Sequence, residues 1–537
     1  VDVFEIVIGL LLGGAALAAL ARRIGAPYPA LLALAGAALA LVRRVPTVVL
    51  DPELALTLFV APVLLDAAFD SSPRDLRVNW RPVAGLAIGA VALTIVTVAL
   101  VARTLVPDMG WATAVALGAI VAPPDAAAAT TVLKQLHPPH RLLVILEGES
   151  LFNDASALLA YRIAVGAVAT GFVSGWSVVP TLFLVTGGSV VLGLVLARSV
   201  VFVASRVTDV ATAVVVQFCG AFGIWMLAER LHLSGIITIV VFAMAAARRA
   251  PVSMTARVRI PSYAVWEVAV FVLNVLVFIL VGFQLRSIVA RATGATGARY
   301  VGIAAAILVT VIVARVVWVT GAAAVNRWIC RARVKGERRR DGMDLSGRAA
   351  VVVGWSGMRG TVTLAAALAL PTGGAGTPGF PYRDLVVVTA FCVVLGTLVI
   401  QGLSLGPLLL HLRLEDDETV ERELRLARLE VLRAATAVTD GSGAAEAGEL
   451  VRRSYALQLR QAEDDYACGS DRLPGGCSPV TQQDATLLRA ATLAQRERLV
   501  ALRATGTIGD GAFRRLEEEL DWTELGWQQV LPTTVGP

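Results

Sequence analysis

An all-α polytopic membrane fold is predicted by three features of the sequence. Apolar stretches of about twenty residues recur from Val3 to Leu412, each long enough to cross a hydrocarbon core. Hydrophobic residues fill 56% of the 537 positions and charged ones only 16%, whereas a soluble protein is charged at about a quarter. The charges gather in short loops between apolar runs. With a net charge of +6 this is an orientation signal and not a nucleic-acid surface, so no nucleic-acid partner is expected.

Length and flanking charge divide residues 1–412 into about thirteen spans, at 3–21, 28–43, 51–70, 82–104, 111–134, 141–170, 177–203, 210–229, 232–248, 264–285, 299–325, 348–370 and 384–411. The first lacks a basic leader and an Ala-x-Ala cleavage pattern, so it reads as a retained helix. Loops after odd-numbered spans carry Arg22-Arg23, Arg74/Arg77/Arg81, Lys134/Arg141, Arg206, Arg248-Arg249 and the run Arg327 to Arg340. Arg43-Arg44 and Arg286/Arg291/Arg299 run against that pattern. The excess places the N-terminus outside and the C-terminus in the cytoplasm.

With the seventh span as a linker, spans 1–6 and 8–13 form two six-helix repeats of inverted orientation. Each repeat has an interrupted helix in fifth place. In the fifth span, Val121-Ala122-Pro123-Pro124-Asp125 sets two prolines at mid-membrane, where they remove donors and break the helix. Such a break is tolerated only where backbone is buried in protein or lines a cavity. Freed carbonyls there can coordinate a cation, and Asp125 can offset the positive end of a half-helix. The twelfth span is interrupted at Gly354-Trp355-Ser356-Gly357-Met358-Arg359-Gly360-Thr361. Arg359 falls about halfway across and requires a carboxylate, for which Glu149 is the candidate. Paired interrupted helices point to an inverted-repeat transporter with a midplane site.

The sixth span carries that site's acidic residues. From the start of the span, helical rise places Asp154 about 20 Å deep, near the middle of the membrane. An ionisable group there is costly and marks an ion or proton path. Ser150, Asn153 and Asp154 stand at i, i+3 and i+4 on one face. Glu147 and Glu149 border it, and this oxygen-rich stripe suits a small hard cation. A stripe that only hydrogen-bonds neighbouring helices would not need repeated carboxylates. Asp66, about one turn inside the cytoplasmic boundary of the third span, is a further ligand or gate, while Asp70 reads as a solvated helix end. His137 and His140 border the cytoplasmic mouth as ordinary loop residues or pH sensors.

Beyond Leu412 the composition turns polar, giving a second domain at 413–537 after the membrane domain at 1–412. Val420, Leu424, Ala427, Val431, Ala435 and Val438 repeat at helical spacing, so this tail reads as a small helical cytoplasmic domain, either a plain solvated bundle or a regulatory or dimer-contacting one. Cys468 and Cys477 lie within it, where a cytoplasmic disulfide is not expected. No Walker loop, Gly-rich dinucleotide turn or His/Cys zinc spacing is present. The chain is therefore expected to be neither an ATP-driven pump nor an enzyme, and to use no cofactor.

The stretch Gly148-Glu149-Ser150-Leu151-Phe152-Asn153-Asp154 resembles the sixth-helix motif of monovalent cation:proton antiporter family 1, the NhaP-type sodium/proton exchangers. Gly357-Met358-Arg359-Gly360 is similar to that family's arginine motif, and Ala122-Pro123-Pro124-Asp125 to its unwound fifth helix. The resemblance covers most of residues 1–411. It implies that Asp154 binds cation or proton, that Ser150 is a ligand and that Asn153 supports the site. It further implies Asp66 as an acidic ligand, the Pro124 carbonyl as a backbone ligand and Glu149–Arg359 as an intramembrane ion pair. A homodimer in a bacterial plasma membrane is implied as well. Many members have Thr-Asp-Pro where this chain has Pro124-Asp125-Ala126, so the threonine side chain is missing from the site.

A desolvated carboxylate that takes either a proton or a cation makes the two compete. If it must carry one of them to change access, the outcome is obligate exchange across the membrane. With Glu149 neutralised, exchange is expected to be electroneutral, with Na+ first and K+ or Li+ as alternatives. Two competing readings are a monovalent-cation channel or proton-coupled efflux system gated by the tail, and a membrane sensor.

Overall fold

The computed structural model describes residues 2–24, 27–40, 56–135, 138–170, 175–204, 206–207, 209–249, 256–285, 294–333, 347–372, 379–414 and 419–441, with isolated positions between 455 and 522. Within them lie α1 (Asp2–Ile24), α2 (Tyr28–Ala40), α3 (Ala61–Asp70, after a π-helical turn at Leu56–Val60) and the short α4 (Pro73–Val78). Next come α5 (Trp80–Leu105), α6 (Trp111–Val121), α7 (Ala126–Gln135), α8 (His140–Thr170), α9 (Gly175–Ala204), α10 (Val210–Arg230) and α11 (Gly235–Ala247). The chain continues through α12 (Ala256–Phe283), α13 (Gly294–Arg333), α14 (Gly347–Trp355), α15 (Thr361–Leu368), α16 (Arg383–Leu412) and α17 (Thr419–Gly441). The thirteen expected spans each have a helical counterpart, with α6–α7 and α14–α15 forming the two broken ones. Among the described residues, seven helices are by length and composition long and apolar enough to cross a membrane. The expected features at His137, Arg43-Arg44, Arg286/Arg291, Cys468 and Cys477 lie outside the described residues.

Local chemistry starts these helices. The side chains of Ser72, Asp209 and Ser234 accept from the backbone N–H three residues on, capping α4, α10 and α11. The Asp209 carboxyl, outside the membrane span, is held below its usual range by the Thr212 N–H and hydroxyl it accepts from. Small residues let helices touch: a methyl on Gly36 would strike the Ile279 carbonyl, and one on Gly282 the Ala33 carbonyl, so α2 and α12 cross backbone to backbone.

The largest apolar core draws on α2, α5, α6, α7, α8, α12, α13, α14, α15 and α16. A second core joins α3, α9, α10 and α11, and Leu151 of α8 reaches into it. The most hydrophobic window of α16 is 72% buried against 17% for Phe183–Val203 of α9, which makes α16 a central strut and leaves α9 with an apolar outer face. By contact the chain divides into two compact units, Val1–Asp416 and Asp417–Pro537.

Candidate functional site

The two broken helices meet at their breaks. Val121 ends α6 and Ala126 starts α7; Trp355 ends α14 and Thr361 starts α15. Across the crossing, the Asp125 N–H donates to the Met358 carbonyl at 2.6 Å. A methyl on Gly360 would land on the Asp125 carboxylate, so only glycine leaves room for that side chain. Asp125 therefore stands at the start of its own half-helix α7 and beside the start of α15, where a negative charge offsets two positive helix ends.

Arg359 does the reverse. Its guanidinium donates to the carbonyls of Val121 (3.2 Å) and Ala122 (3.5 Å) at the end of α6, and to that of Gly357 just beyond α14. Its backbone N–H donates to Thr397 Oγ1 of α16 at 2.9 Å. A fully buried cation thus gathers the carbonyls that both breaks release.

This changes the expected ion pair. Glu149 is bound by Arg315 of α13 and not by Arg359: Nη2 donates to Oε2 at 2.8 Å and Nη1 to Oε1. Arg315 also reaches the Val353 carbonyl from Nε (3.3 Å) and Nη2 (3.1 Å). The physical reason is geometric. Arg359 leaves an unwound segment whose own carbonyls engage its donors, while Arg315 projects from a continuous helix with its planar fork matched to a carboxylate. Both guanidiniums and Glu149 still line one narrow crevice, together with Ala90, Val91, Thr94, Ala122 and Pro124. Arg315 was missed in the sequence although one arginine flanked by Ala314 and Val316 in an apolar span is itself a signal.

On α8, Asn153 is fully buried and its amide donates to the Pro124 carbonyl at 2.8 Å. One lone pair of that expected ligand is thereby occupied, and the other remains. The Asn153 Oδ1 is buried without a hydrogen-bond partner among the described residues. Asp154 is 8% exposed and makes no hydrogen bond or ion pair among the described residues. Asp125 adds a second negative charge close enough to act on it. Ser150 is half-buried one turn before Asp154. Asp66 is half-buried on α3, a helix packed against α8 and α11, and Asp70 is exposed. The helix thus separates two acidic roles: Glu149 has an arginine, and Asp154 has none.

Three further contacts tie α8 to α5 and to α4 with the Asn79 that ends it, and a fourth ties α13 to α5. Ser156 Oγ lies 2.6 Å from the Ala87 carbonyl, inside a π-helical stretch at Gly85–Ala90 of α5. Trp318 of α13 donates to the Gly85 carbonyl at 3.0 Å. His140 Nε2 lies 3.2 Å from Asp75 Oδ2, and Arg141 donates to Asn79 Oδ1 at 2.9 Å.

Known proteins resemble this chain in sequence and in fold. The family model described as "Sodium/hydrogen exchanger, transmembrane" matches residues 7–411. An uncharacterised Na+/H+ exchanger of Mycobacterium tuberculosis is 31% identical over 510 residues, covering 93% of this chain and 91% of its own length. The low-affinity Na+/H+ antiporter NhaS1 of Synechocystis is 29% identical over 413 residues, 75% of this chain and 74% of that protein. Among solved structures, the sodium proton antiporter MjNhaP1 from Methanocaldococcus jannaschii superposes with a TM-score of 0.59 at 17% identity, covering 77% of this chain and 100% of that one, which is a likeness of fold.

Proposed function

This chain belongs to the sodium/hydrogen exchanger family, and on that premise we propose that Asp154 is the group at which one proton and one monovalent cation compete. The chain is a multi-pass membrane antiporter exchanging cation for proton. Relatives named as antiporters along most of its length support exchange and not a channel. One observation carries the assignment of the site: Asp154 is a buried carboxylate with no ion-pair partner among the described residues, while its neighbour Glu149 is neutralised by Arg315. A buried carboxylate must be neutralised, by a proton or by an ion.

In this reading Asp154, Ser150, Asp66, the second lone pair of the Pro124 carbonyl and the unpaired Asn153 Oδ1 supply oxygen ligands for Na+, with K+ or Li+ as alternatives. Asn153 holds Pro124 in place, and Asp125 and Arg359 keep the two broken helices charge-balanced at the crossing. A single titrating carboxylate gives one-for-one, electroneutral exchange. The resemblance supports a homodimer, and the loop charges support a cytoplasmic C-terminus in a bacterial plasma membrane. The test is exchange in everted vesicles: Na+ dequenches a pH dye with the wild-type protein and does not with Asp154→Asn. Wild-type dequenching in that variant contradicts the assignment.

A further inference from the structure

Six buried side-chain polar atoms lack hydrogen-bond partners among the described residues, and four of them lie on α15 and α16: Thr363 Oγ1, Thr389 Oγ1, and both Nε2 and Oε1 of Gln401. Gln401 is the extreme case. It is fully buried, and neither end of its amide is paired. Leucine has similar volume and would bury at that position of an apolar helix without leaving polar atoms unsatisfied.

The position of Gln401 is set by its neighbours. Thr397, Gln401 and Ser404 fall within about 60° of one another on α16. Thr397 Oγ1 accepts the Arg359 N–H at 2.9 Å, and Ser404 Oγ accepts the Trp355 indole N–H at 2.8 Å. These bonds fasten α16 to either end of the unwound segment 356–360, with Gln401 between them. The next residue, Gly402, has the Met358 sulfur 3.3 Å from where a Cβ would stand. Met358 is the residue whose carbonyl receives the Asp125 N–H. A helix break of this kind exposes backbone donors and acceptors that need partners. An amide with one donor end and one acceptor end, held against such a break, suits ordered water, which satisfies buried polar groups by bridging them.

We propose that Gln401 builds a buried water-binding site between α16 and the unwound segment 356–360. It is a positioning residue that holds the Met358–Asp125 crossing and Arg359 in register during exchange. The transport part of this proposal rests on the exchange function above; the water site does not.

The experiment is X-ray radiolytic labelling of the purified full-length protein, in which bound water oxidises the side chains beside it. Fully buried Met358 is expected to be oxidised at a rate comparable to half-exposed Met226. Gln401→Leu, which fills the same volume, is expected to lower Met358 labelling several-fold while leaving Met226 unchanged, and Gln401→Asn to restore part of it. In vesicles Gln401→Leu is expected to slow turnover about tenfold, which corresponds to one weakened positioning contact, with the cation KM changed less than about threefold. Absence of Met358 labelling in the wild-type protein overturns the water site, whatever the variants do. Equal labelling in Gln401→Leu, or exchange at the wild-type rate in that variant, overturns the role of the amide. Absence of cation–proton exchange in the wild-type protein, with its Met358 labelling intact, would instead count against the exchange reading.

Discussion

Removing either Glu149 or Arg315 should be far more damaging than removing both. Each side chain is 2% exposed, so Arg315→Leu leaves a buried carboxylate, and Glu149→Leu leaves a buried guanidinium whose one other acceptor among the described residues is the Val353 carbonyl. Breaking a buried pair in this way costs about 3–5 kcal/mol per single variant. The double variant buries two apolar side chains and orphans only the Val353 carbonyl, a cost of about 1–3 kcal/mol. A double-mutant cycle should therefore show a coupling of several kcal/mol, at or above the upper end of about 0.5–3 kcal/mol common for touching residues. Reversible unfolding in mixed micelles, followed by tryptophan fluorescence, reads these values. The same cycle between Glu149 and Arg359 should show less than half that coupling, because Arg359 donates to carbonyls. Additive costs for Glu149 and Arg315, or a stronger coupling to Arg359, would refute the reassigned pair.

Two other substitutions probe the crossing. Asn153→Leu removes the bond to the Pro124 carbonyl and should cost about 1–3 kcal/mol in the same unfolding assay, and it should raise the cation KM in vesicles by about tenfold or more. Gly360→Ala drives a methyl onto the Asp125 carboxylate and should abolish exchange while the protein still reaches the membrane, as read by vesicle dequenching against expression level. Serine at the same position should fare no better, since the obstruction is at Cβ.

Much of this arrangement was legible in the sequence because its signals are local. Span lengths follow from the apolar runs, the breaks from Pro123-Pro124 and from glycines at 354, 357 and 360, and the shared face of Ser150, Asn153 and Asp154 from helical period. Which arginine reaches Glu149 was not legible. That choice depends on how α13 is rotated and at what depth it packs, and no spacing along one helix encodes it. The π-helical stretches at Leu56–Val60 and Gly85–Ala90 were equally invisible, since one extra residue per turn barely alters an apolar pattern. The occupied lone pair of Pro124 follows from the tertiary approach of Asn153. Gln401 carries no signal in the sequence, because the lack of a partner for its amide among the described residues is a tertiary fact.

The central claim is that cation and proton contend for Asp154, and proton release on cation binding tests it most directly. Purified protein in weakly buffered detergent should release about one proton per protomer when Na+ is added at a pH where the site is protonated, and its apparent cation affinity should fall about tenfold for each unit the pH is lowered there. Asp154→Asn should release none. Proton release from Asp154→Asn equal to that of the wild-type protein, or cation binding to the wild-type protein without any release across the pH range, would contradict the account.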